Sequence, residues 1–563
     1  MAATTSNGQE RAFWTARYPK GIPATIENFV NQYRSTLDVF EETVARFPTK
    51  PAFTCMGKTL TFSEINRKAE SFAAFLQNEL KLKKGDRIAI QMPNVLQYPI
   101  ALFGSLKAGL VIVNTNPLYT EREMKHQFND AGCTAVVILA NFAHNLQKVI
   151  HETKIQHVIV TELGDMLGFP KSLVVNTVVK HVKKMVPEFS LPDAISFNSA
   201  LERGAQLTCT RVPMELDEVA FLQYTGGTTG VSKGAMLTHR NVVSNMEQIR
   251  GWMLPKLKEG EEVVVCALPL YHIFAFTVNA LAIVKYGGHN ILIPNPRDIP
   301  AFVKELKKYP ITVFTGVNTL YNALLNNAEF QKLDFSTYKI AVAGAMALQK
   351  AVAERWKQVT GCTIVEGYGL TETSPVASCN PIDGTDRTGT IGLPLPSTLL
   401  KMIDEDGKDV AIGEVGEICI KGPQVMKGYW QRPDETANVM TADGWFKSGD
   451  IGVMDADGFS KIVDRKKDMI LVSGFNVYPN EVEDVVATHP GVLEVAAIGI
   501  PDEKSGEVVK VFVVKKDPSL TPDQVIEHCR KGLAGYKVPK AVEFRNELPK
   551  TNVGKILRRA LRS

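Results

Sequence analysis

The chain has 563 residues, of which 45% are apolar and 22% are charged, and its net charge is +4. This length exceeds that of one ordinary domain, and the composition excludes an intrinsically disordered chain. The small net charge gives no reason to expect a nucleic-acid partner.

Apolar patterning predicts alternating strands and helices over most of the chain, which is typical of an α/β fold with parallel sheets. A helix is predicted at residues 98–108. Strands are predicted at residues 87–91, 110–113, 134–139, 157–161, 263–268, 312–315 and 339–343. Two later strands, 399–403 and 415–421, alternate as in an antiparallel sheet.

Residues 171–186 are rich in valine and lysine and read as an amphipathic helix. An apolar face is predicted at helical spacing, comprising Val174, Val175, Val178, Val179, Val182, Met185 and Val186. Lys180, Lys183 and Lys184 supply a positive side, so the helix can lie on an anionic membrane surface. An ordinary surface helix that packs its valines on the core stays an alternative.

A loop rich in glycine and threonine follows the apolar run at residues 219–222. Its candidate ligand-binding residues are Thr225, Gly226, Gly227, Thr228, Thr229, Gly230 and Lys233. Glycines let backbone N–H groups approach an anion, while hydroxyls and a lysine add donors, so the loop suits a polyphosphate. Because two residues separate Gly230 from Lys233, the spacing is not that of a Walker A loop.

Residues 263–284 carry no formal charge and are long enough to span a bilayer. Pro269, Tyr271, His272, Thr277 and Asn279 interrupt this stretch, however. Polar groups are costly in hydrocarbon, so we expect a buried strand, a loop and a helix instead of a membrane span.

The last hundred or so residues predict a small α+β domain of normal size. Helices are expected at residues 480–488 and 522–532, and strands at 495–500 and 510–514.

Four further blocks follow the glycine-rich loop in order, at residues 366–373 (EGYGLTET), 447–450 (KSGD), 464–468 (DRKKD) and 549–556 (PKTNVGKI). Together the five blocks resemble the motifs of the adenylate-forming superfamily, and residues 443–472 are similar to the signature of bacterial long-chain fatty acyl-CoA synthetases. The resemblance covers essentially the whole chain. It implies a large multi-sheet adenylation domain at residues 1–465 and a small, mobile α+β domain at residues 466–563.

The resemblance also implies the reaction and its participants. A fatty acid would react with ATP to give an acyl-AMP and pyrophosphate, and the thiol of CoA would then displace AMP. The loop would contact the β- and γ-phosphates, Thr371 the α-phosphate, and Glu372 a Mg²⁺ ion, which as a hard cation prefers oxygen ligands.

Further roles follow from the same resemblance. Tyr368 would stack on adenine, although a buried core tyrosine is an alternative, and Asp450 would bind the ribose hydroxyls with Arg465 beside it. Lys555 would stabilise the adenylation transition state, against the alternative of a solvated basic tail. Lys467 occupies the hinge position.

The remaining candidates concern the acyl chain and CoA. His272 would line the junction of the acyl and nucleotide sites. Gly344 and Gly369 are small where a large side chain would close the acyl pocket, which favours a long chain. Gly474 would lie beside the pantetheine arm of CoA, or serve only as a turn glycine.

Two other functions stay open at this point. An adenylating enzyme could transfer its acyl group to a carrier protein or oxidise it, although no carrier domain is recognisable in the chain. A non-catalytic fatty-acid binder would not need Lys233, Glu372 and Lys555.

The eight cysteines include no Cys-x-x-Cys pair, and the polar start of the chain resembles no signal peptide. We therefore expect a cytoplasmic location, with peripheral contact at the cytoplasmic face of the inner membrane, and leave a homodimer open.

Overall fold

The structure is a computed structural model that describes residues 12–225, 232–502, 504–551 and 554–562. The strands, numbered in chain order, are β1 (Pro51–Cys55), β2 (Lys58–Thr61), β3 (Arg87–Gln91), β4 (Val111–Asn114), β5 (Cys133–Leu139), β6 (His157–Thr161), β7 (Ile195–Ser196), β8 (Val219–Thr225), β9 (Lys233–Thr238), β10 (Val263–Cys266), β11 (His289–Leu292), β12 (Val313–Gly316), β13 (Ile340–Ala343), β14 (Ile364–Gly369), β15 (Val376–Cys379), β16 (Leu393–Pro394), β17 (Leu399–Ile403), β18 (Val415–Lys421), β19 (Phe446–Met454), β20 (Ser460–Arg465), β21 (Ile470–Val472), β22 (Phe475–Val477), β23 (Val492–Asp502), β24 (Gly506–Lys515) and β25 (Ala541–Arg545).

The α-helices are α1 (Glu27–Val30), α2 (Thr36–Arg46), α3 (Phe62–Asn78), α4 (Gln97–Lys107), α5 (Glu121–Ala131), α6 (Ala143–Val149), α7 (Lys171–Thr177), α8 (Phe197–Gly204), α9 (His239–Met253), α10 (Ile273–Ala275), α11 (Ile299–Leu306), α12 (Asn318–Leu325), α13 (Lys350–Thr360), α14 (Pro433–Val439), α15 (Pro479–Ala487) and α16 (Pro522–Gly532). Two of them, α7 and α10, continue as wider π-helical turns at Val178–Val182 and Phe276–Ile283.

Two large sheets form the body of the first domain. One has seven strands in the order β7-β6-β5-β3-β4-β8-β9, and the other has nine in the order β16-β15-β14-β13-β12-β10-β11-β1-β2. The seven-stranded sheet is parallel except for its last pair, β8 and β9. The nine-stranded sheet is parallel in the middle and has antiparallel strands at both ends. Their central strands carry apolar side chains on both faces because both faces are covered, as the β-branched runs in the sequence predict.

Two smaller sheets complete the fold. The strands β17 to β20 form an antiparallel sheet, and the small C-terminal domain contains the order β22-β21-β24-β23 with β25 beside β24. Phe459 is the last buried apolar residue of the large core in chain order, and Ile470 is the first of the small domain's core. The mixed α/β class with a large first and a small second domain is therefore confirmed, whereas the boundary at residues 465 and 466 stays a prediction.

Several predicted elements match the structure to the residue, including the strands at residues 87–91, 157–161 and 415–421 and the helix at 522–532. Most others are displaced by one to three residues at an end. The uncharged stretch 263–284 is a strand, a short helix and a π-helical turn, and it is almost wholly buried. Among the described residues, no helix combines the length and apolar character that crossing a bilayer requires.

The segment 171–186 differs from its prediction. It is helical only from Lys171 to Val182, and the second half is a π-helical turn, which shifts the side chains relative to α-helical spacing. Val179 is consequently buried, while Val174 and Val182 are exposed. The predicted apolar face is therefore divided between the core and the solvent.

Candidate active site

A cavity of about 1010 Å³ lies where the large domain meets the C-terminal tail of the small domain. The candidate residues that line it are Thr225, Lys233, His272, Gly344, Tyr368, Gly369, Thr371, Glu372, Asp450, Arg465, Lys467 and Lys555. The candidates Gly226, Gly227, Thr228, Thr229 and Gly230 fall outside the described residues. The structure thus brings together the described candidates from all five sequence blocks.

The hairpin of β8 and β9 fixes the base of the glycine-rich loop. Thr225 and Lys233 are paired across it, so both ends of the loop lie at the cavity. The Lys233 ammonium donates to Glu435 Oε2 at 2.5 Å and lies 5.1 Å from the ring centre of Tyr429. Sequence reasoning missed both partners, because neither Glu435 nor Tyr429 belongs to a recognised block.

Glu372 is a buried carboxylate that faces the cavity from the short 3₁₀ turn after β14. Its Oε1 accepts a hydrogen bond from the Tyr429 hydroxyl at 2.6 Å, and burial raises the pKa of Glu372. A nearby cation would offset that cost of burying the charge. Protein sites for Mg²⁺ often contribute one or two carboxylates while substrate phosphates supply further ligands, so this single carboxylate fits a Mg²⁺–nucleotide complex.

Asp450 is held in place by two partners. Its Oδ2 accepts from the Tyr368 hydroxyl at 2.8 Å, and its Oδ1 lies 3.3 Å from Nε of Arg465, which is its neighbour across the β19–β20 ladder. The bond to Asp450 orients the ring of Tyr368 at the cavity wall. The proposed stacking of that ring on adenine stays a prediction.

Lys555 reaches the cavity from a tight hairpin at the end of the chain. Thr551 N donates to Lys555 O at 2.7 Å, and Lys555 N donates to Thr551 Oγ1 at 3.1 Å. The preceding Gly554 has a φ of +82°, and a Cβ there would lie 2.7 Å from Oγ1 of Thr319 in the large domain. Glycine is therefore needed both for this backbone conformation and for the close approach to α12.

Burial and charge also set the protonation of the groups near Lys555. Burial, followed by the adjacent Arg465, lowers the pKa of Lys555 to about 7. The same two causes lower the pKa of Lys467 to about 8. His272, beside Lys555, has its pKa lowered to about 4 by burial, and its Nδ1 accepts from Phe274 N at 3.3 Å. Because Nδ1 is already occupied by this backbone bond and the ring lines the cavity, the geometry fits the predicted site-lining role.

An apolar arm extends the cavity away from these polar groups. One wall is a face of the nine-stranded sheet, formed by alternate residues of neighbouring strands: Val313, Thr315, Ile340, Val342 and Val365. Further apolar lining comes from α9 and the π-helical turn, with Ile249, Trp252, Met253, Val278 and Ile283. This arm could not be read from the sequence, because its residues come from segments that are distant in the chain.

The glycine candidates differ in their surroundings. A Cβ at Gly369 would lie 1.9 Å from the carbonyl oxygen of Pro375, so backbone packing alone requires glycine there. A Cβ at Gly344 would lie 3.0 Å from the Phe274 ring, at the start of the apolar arm. Gly474 does not line the cavity and lies in a two-residue turn, where it and Ser473 both have positive φ.

Comparison with known proteins adds independent information. Residues 40–430 match the AMP-binding enzyme family, and residues 481–555 match the AMP-binding enzyme C-terminal domain. A long-chain-fatty-acid–CoA ligase of Escherichia coli O6:H1 is 58% identical, covering 98% of this chain and 97% of that protein. The corresponding ligase of Haemophilus influenzae is 54% identical over 98% of each chain. Among solved structures, ATP-bound MatB from Rhodopseudomonas palustris aligns with a TM-score of 0.80 and 28% identity, covering 93% of this chain and 98% of that one.

Proposed function

The chain belongs to the AMP-binding enzyme family, and we propose that it ligates long-chain fatty acids to CoA, using ATP and passing through an acyl-AMP. The observation that carries this proposal is one cavity with two chemically different parts. Cationic and anionic groups suited to a nucleotide meet at one end, and an apolar arm begins beside them. The ligase activity of relatives that are 54% and 58% identical over nearly the whole chain supports the same reaction.

In the first half-reaction, a carboxylate oxygen attacks the α-phosphorus of ATP, and the bond to pyrophosphate breaks. Both reactants are anionic, so the step requires positive charge at the reacting atoms. Lys555 and Arg465 supply that charge at the cavity. Asp450 would orient the ribose, and Thr371 would donate to the α-phosphate. Mg²⁺ bound at Glu372 would neutralise phosphate charge.

In the second half-reaction, the CoA sulfur attacks the acyl carbonyl carbon, and the bond to AMP breaks. CoA must then approach the site that Lys555 and its hairpin partly cover. Gly474, the predicted neighbour of the pantetheine arm, lies outside the cavity. We therefore propose that the small domain turns about Lys467 between the two half-reactions, which exchanges the residues at the cavity.

The long-chain preference rests on the apolar arm and on the relatives. Each CH₂ group that enters such an arm gains about 0.8 kcal/mol from leaving water. A short acid would leave the faces formed by Val313, Ile340 and Trp252 unfilled, so binding should strengthen with chain length until the arm is full. The cavity and the relatives do not give comparable support to the other functions, which are transfer to a carrier protein, oxidation of the adenylate and non-catalytic binding.

The function is tested by product stoichiometry. Purified protein should convert a C16 fatty acid, ATP and CoA to equal amounts of acyl-CoA, AMP and pyrophosphate, measured by chromatography. Without CoA, it should exchange labelled pyrophosphate into ATP only when the fatty acid is present. Release of ADP, or tight fatty-acid binding without AMP formation, would overturn the proposal.

We further propose a cytoplasmic protein that contacts the inner membrane through residues 171–186 and the adjoining Phe169. Large apolar side chains exposed in this segment are Phe169, Leu173, Val174, Val182 and Met185. Exposed cationic residues on the same segment include Lys180, Lys183 and Lys184. Apolar groups among lysines suit the interface of an anionic bilayer, with about 1 kcal/mol for each lysine near the surface. The homodimer stays a prediction.

The charge-reversed variant Lys180→Glu/Lys183→Glu/Lys184→Glu should pellet less with anionic vesicles than the unchanged protein. Its activity on detergent-dispersed fatty acid should be unchanged, because these lysines do not line the cavity. A separate Phe169→Ser variant should weaken pelleting without changing the charge. Undiminished pelleting of both variants would exclude this segment as the attachment site.

A further inference from the structure

Arg558 lies at the centre of a network that ties the C-terminal tail to the rest of the protein. Its Nε and Nη2 donate to the two oxygens of Glu483 at 3.0 and 2.8 Å, which is the bidentate geometry of a strong pair. Nη2 also donates to Asn480 Oδ1 at 2.7 Å. Glu483 and Asn480 both belong to α15, so these bonds fix the tail within the small domain.

The same guanidinium also faces the segment that joins the domains. Its Nη1 lies 3.7 Å from Asp464 Oδ1 and 3.4 Å from Asp468 Oδ2. Asp464 belongs to β20 of the large domain and precedes the hinge residue Lys467, whereas Asp468 follows it. Arg558 therefore contacts carboxylates on both sides of the hinge.

Asp464 itself links the two domains. Its Oδ2 accepts from the backbone N–H of Asn480 at the start of α15 at 2.9 Å, and its Oδ1 accepts from the N–H of Arg465 at 2.7 Å. The side chain is fully buried, and burial raises its pKa to about 6. Without Arg558, this carboxylate would lose a cation that lies 3.7 Å away, and removing one partner of a buried ion pair is strongly destabilising.

Lys555 lies three residues before Arg558 in the same tail. Between them, Leu557 N donates to Pro549 O at 2.8 Å and closes the hairpin that presents Lys555. We propose that Arg558, acting with Asp464, is a positioning residue that locks the small domain against the large one with Lys555 in the cavity. This inference rests on the proposed two-step reaction. If the domain turns about Lys467, the bonds to Glu483 and Asn480 move with it, whereas the contact with Asp464 breaks.

The lock therefore predicts an effect on one half-reaction. Asp464→Asn and Arg558→Lys should each slow fatty-acid-dependent pyrophosphate exchange about tenfold, because a charge-assisted contact is lost. Thioester formation from supplied acyl-AMP should stay within about twofold of the unchanged protein. The double variant should be no slower than the slower single variant, since both changes break the same contact.

A matched control uses an ion pair on the same helix that does not cross the hinge. Lys537 Nζ donates to Glu481 Oε1 of α15 at 2.7 Å, and both residues belong to the small domain. Lys537→Met should leave the ratio of the two half-reactions unchanged. Equal loss of both half-reactions in the Asp464 and Arg558 variants would overturn the lock, as would exchange within twofold of normal in folded Asp464→Asn. Absence of exchange in the unchanged protein would instead refute the proposed function.

Discussion

Replacing Lys555 by arginine should remove the pH dependence of the first half-reaction. Burial and the neighbouring Arg465 lower the pKa of Lys555 to about 7, so its ammonium is charged at lower pH and loses its proton as the pH rises. In the proposed mechanism, the adenylation step needs the charged form of Lys555. Between about pH 6 and about pH 8, the protonated fraction falls from about 0.9 to about 0.1, which predicts about a tenfold loss of kcat/KM.

The assay is pyrophosphate exchange with a fatty acid and without CoA, so that ionisation of the thiol does not contribute. Because kcat/KM reports the free enzyme, it should show the decline near pH 7, whereas kcat should decline at higher pH, since the bound anionic nucleotide favours the ammonium. Arginine stays protonated, so Lys555→Arg should show a nearly flat profile, whatever its absolute rate. An unchanged decline in Lys555→Arg would refute the assignment.

Three further substitutions test separate parts of the site. Lys555→Ala should slow adenylation roughly a hundredfold to a thousandfold and leave thioester formation from supplied acyl-AMP largely intact; normal pyrophosphate exchange would contradict its role. Lys467→Pro fixes φ at about −65° and should spare one half-reaction while slowing the other. An equal loss of both half-reactions in a folded protein would argue against a hinge at this position. Val342→Trp should fill the apolar arm and lower kcat/KM for a C16 acid at least about tenfold, while a C4 acid in the same variant serves as the control.

Local sequence blocks predicted candidate residues that the structure brings to one cavity. Asp450 and Arg465 come from two separate blocks, and the structure pairs them across neighbouring strands. Glu372 and Lys555 were likewise named from short motifs, because close approach to a polyphosphate restricts residue type and spacing. Both line the cavity, and their roles stay predictions. These constraints are local in the chain and so can be read from it.

The residues that sequence reasoning missed act through distant contacts. Tyr429 bonds to Glu372, and Arg558 joins α15 to Asp464 and Asp468. Neither residue has a local pattern that distinguishes it from a core tyrosine or a tail arginine. The apolar arm depends on a sheet face and a helix brought together by folding. Gly369 lines the cavity as expected, and its contact with Pro375 gives a second reason for glycine that the sequence could not show; its role at the acyl pocket stays a prediction.

The most direct test of the central claim is kcat/KM for fatty-acid-dependent pyrophosphate exchange across saturated acids from C4 to C18. One cavity that joins a nucleotide site to an apolar arm predicts a rise of up to about fourfold for each added CH₂ until the arm is full, from about 0.8 kcal/mol per group. Val342→Trp should end that rise at a shorter chain. A rate that does not depend on chain length, or a preference for C4, would contradict the account.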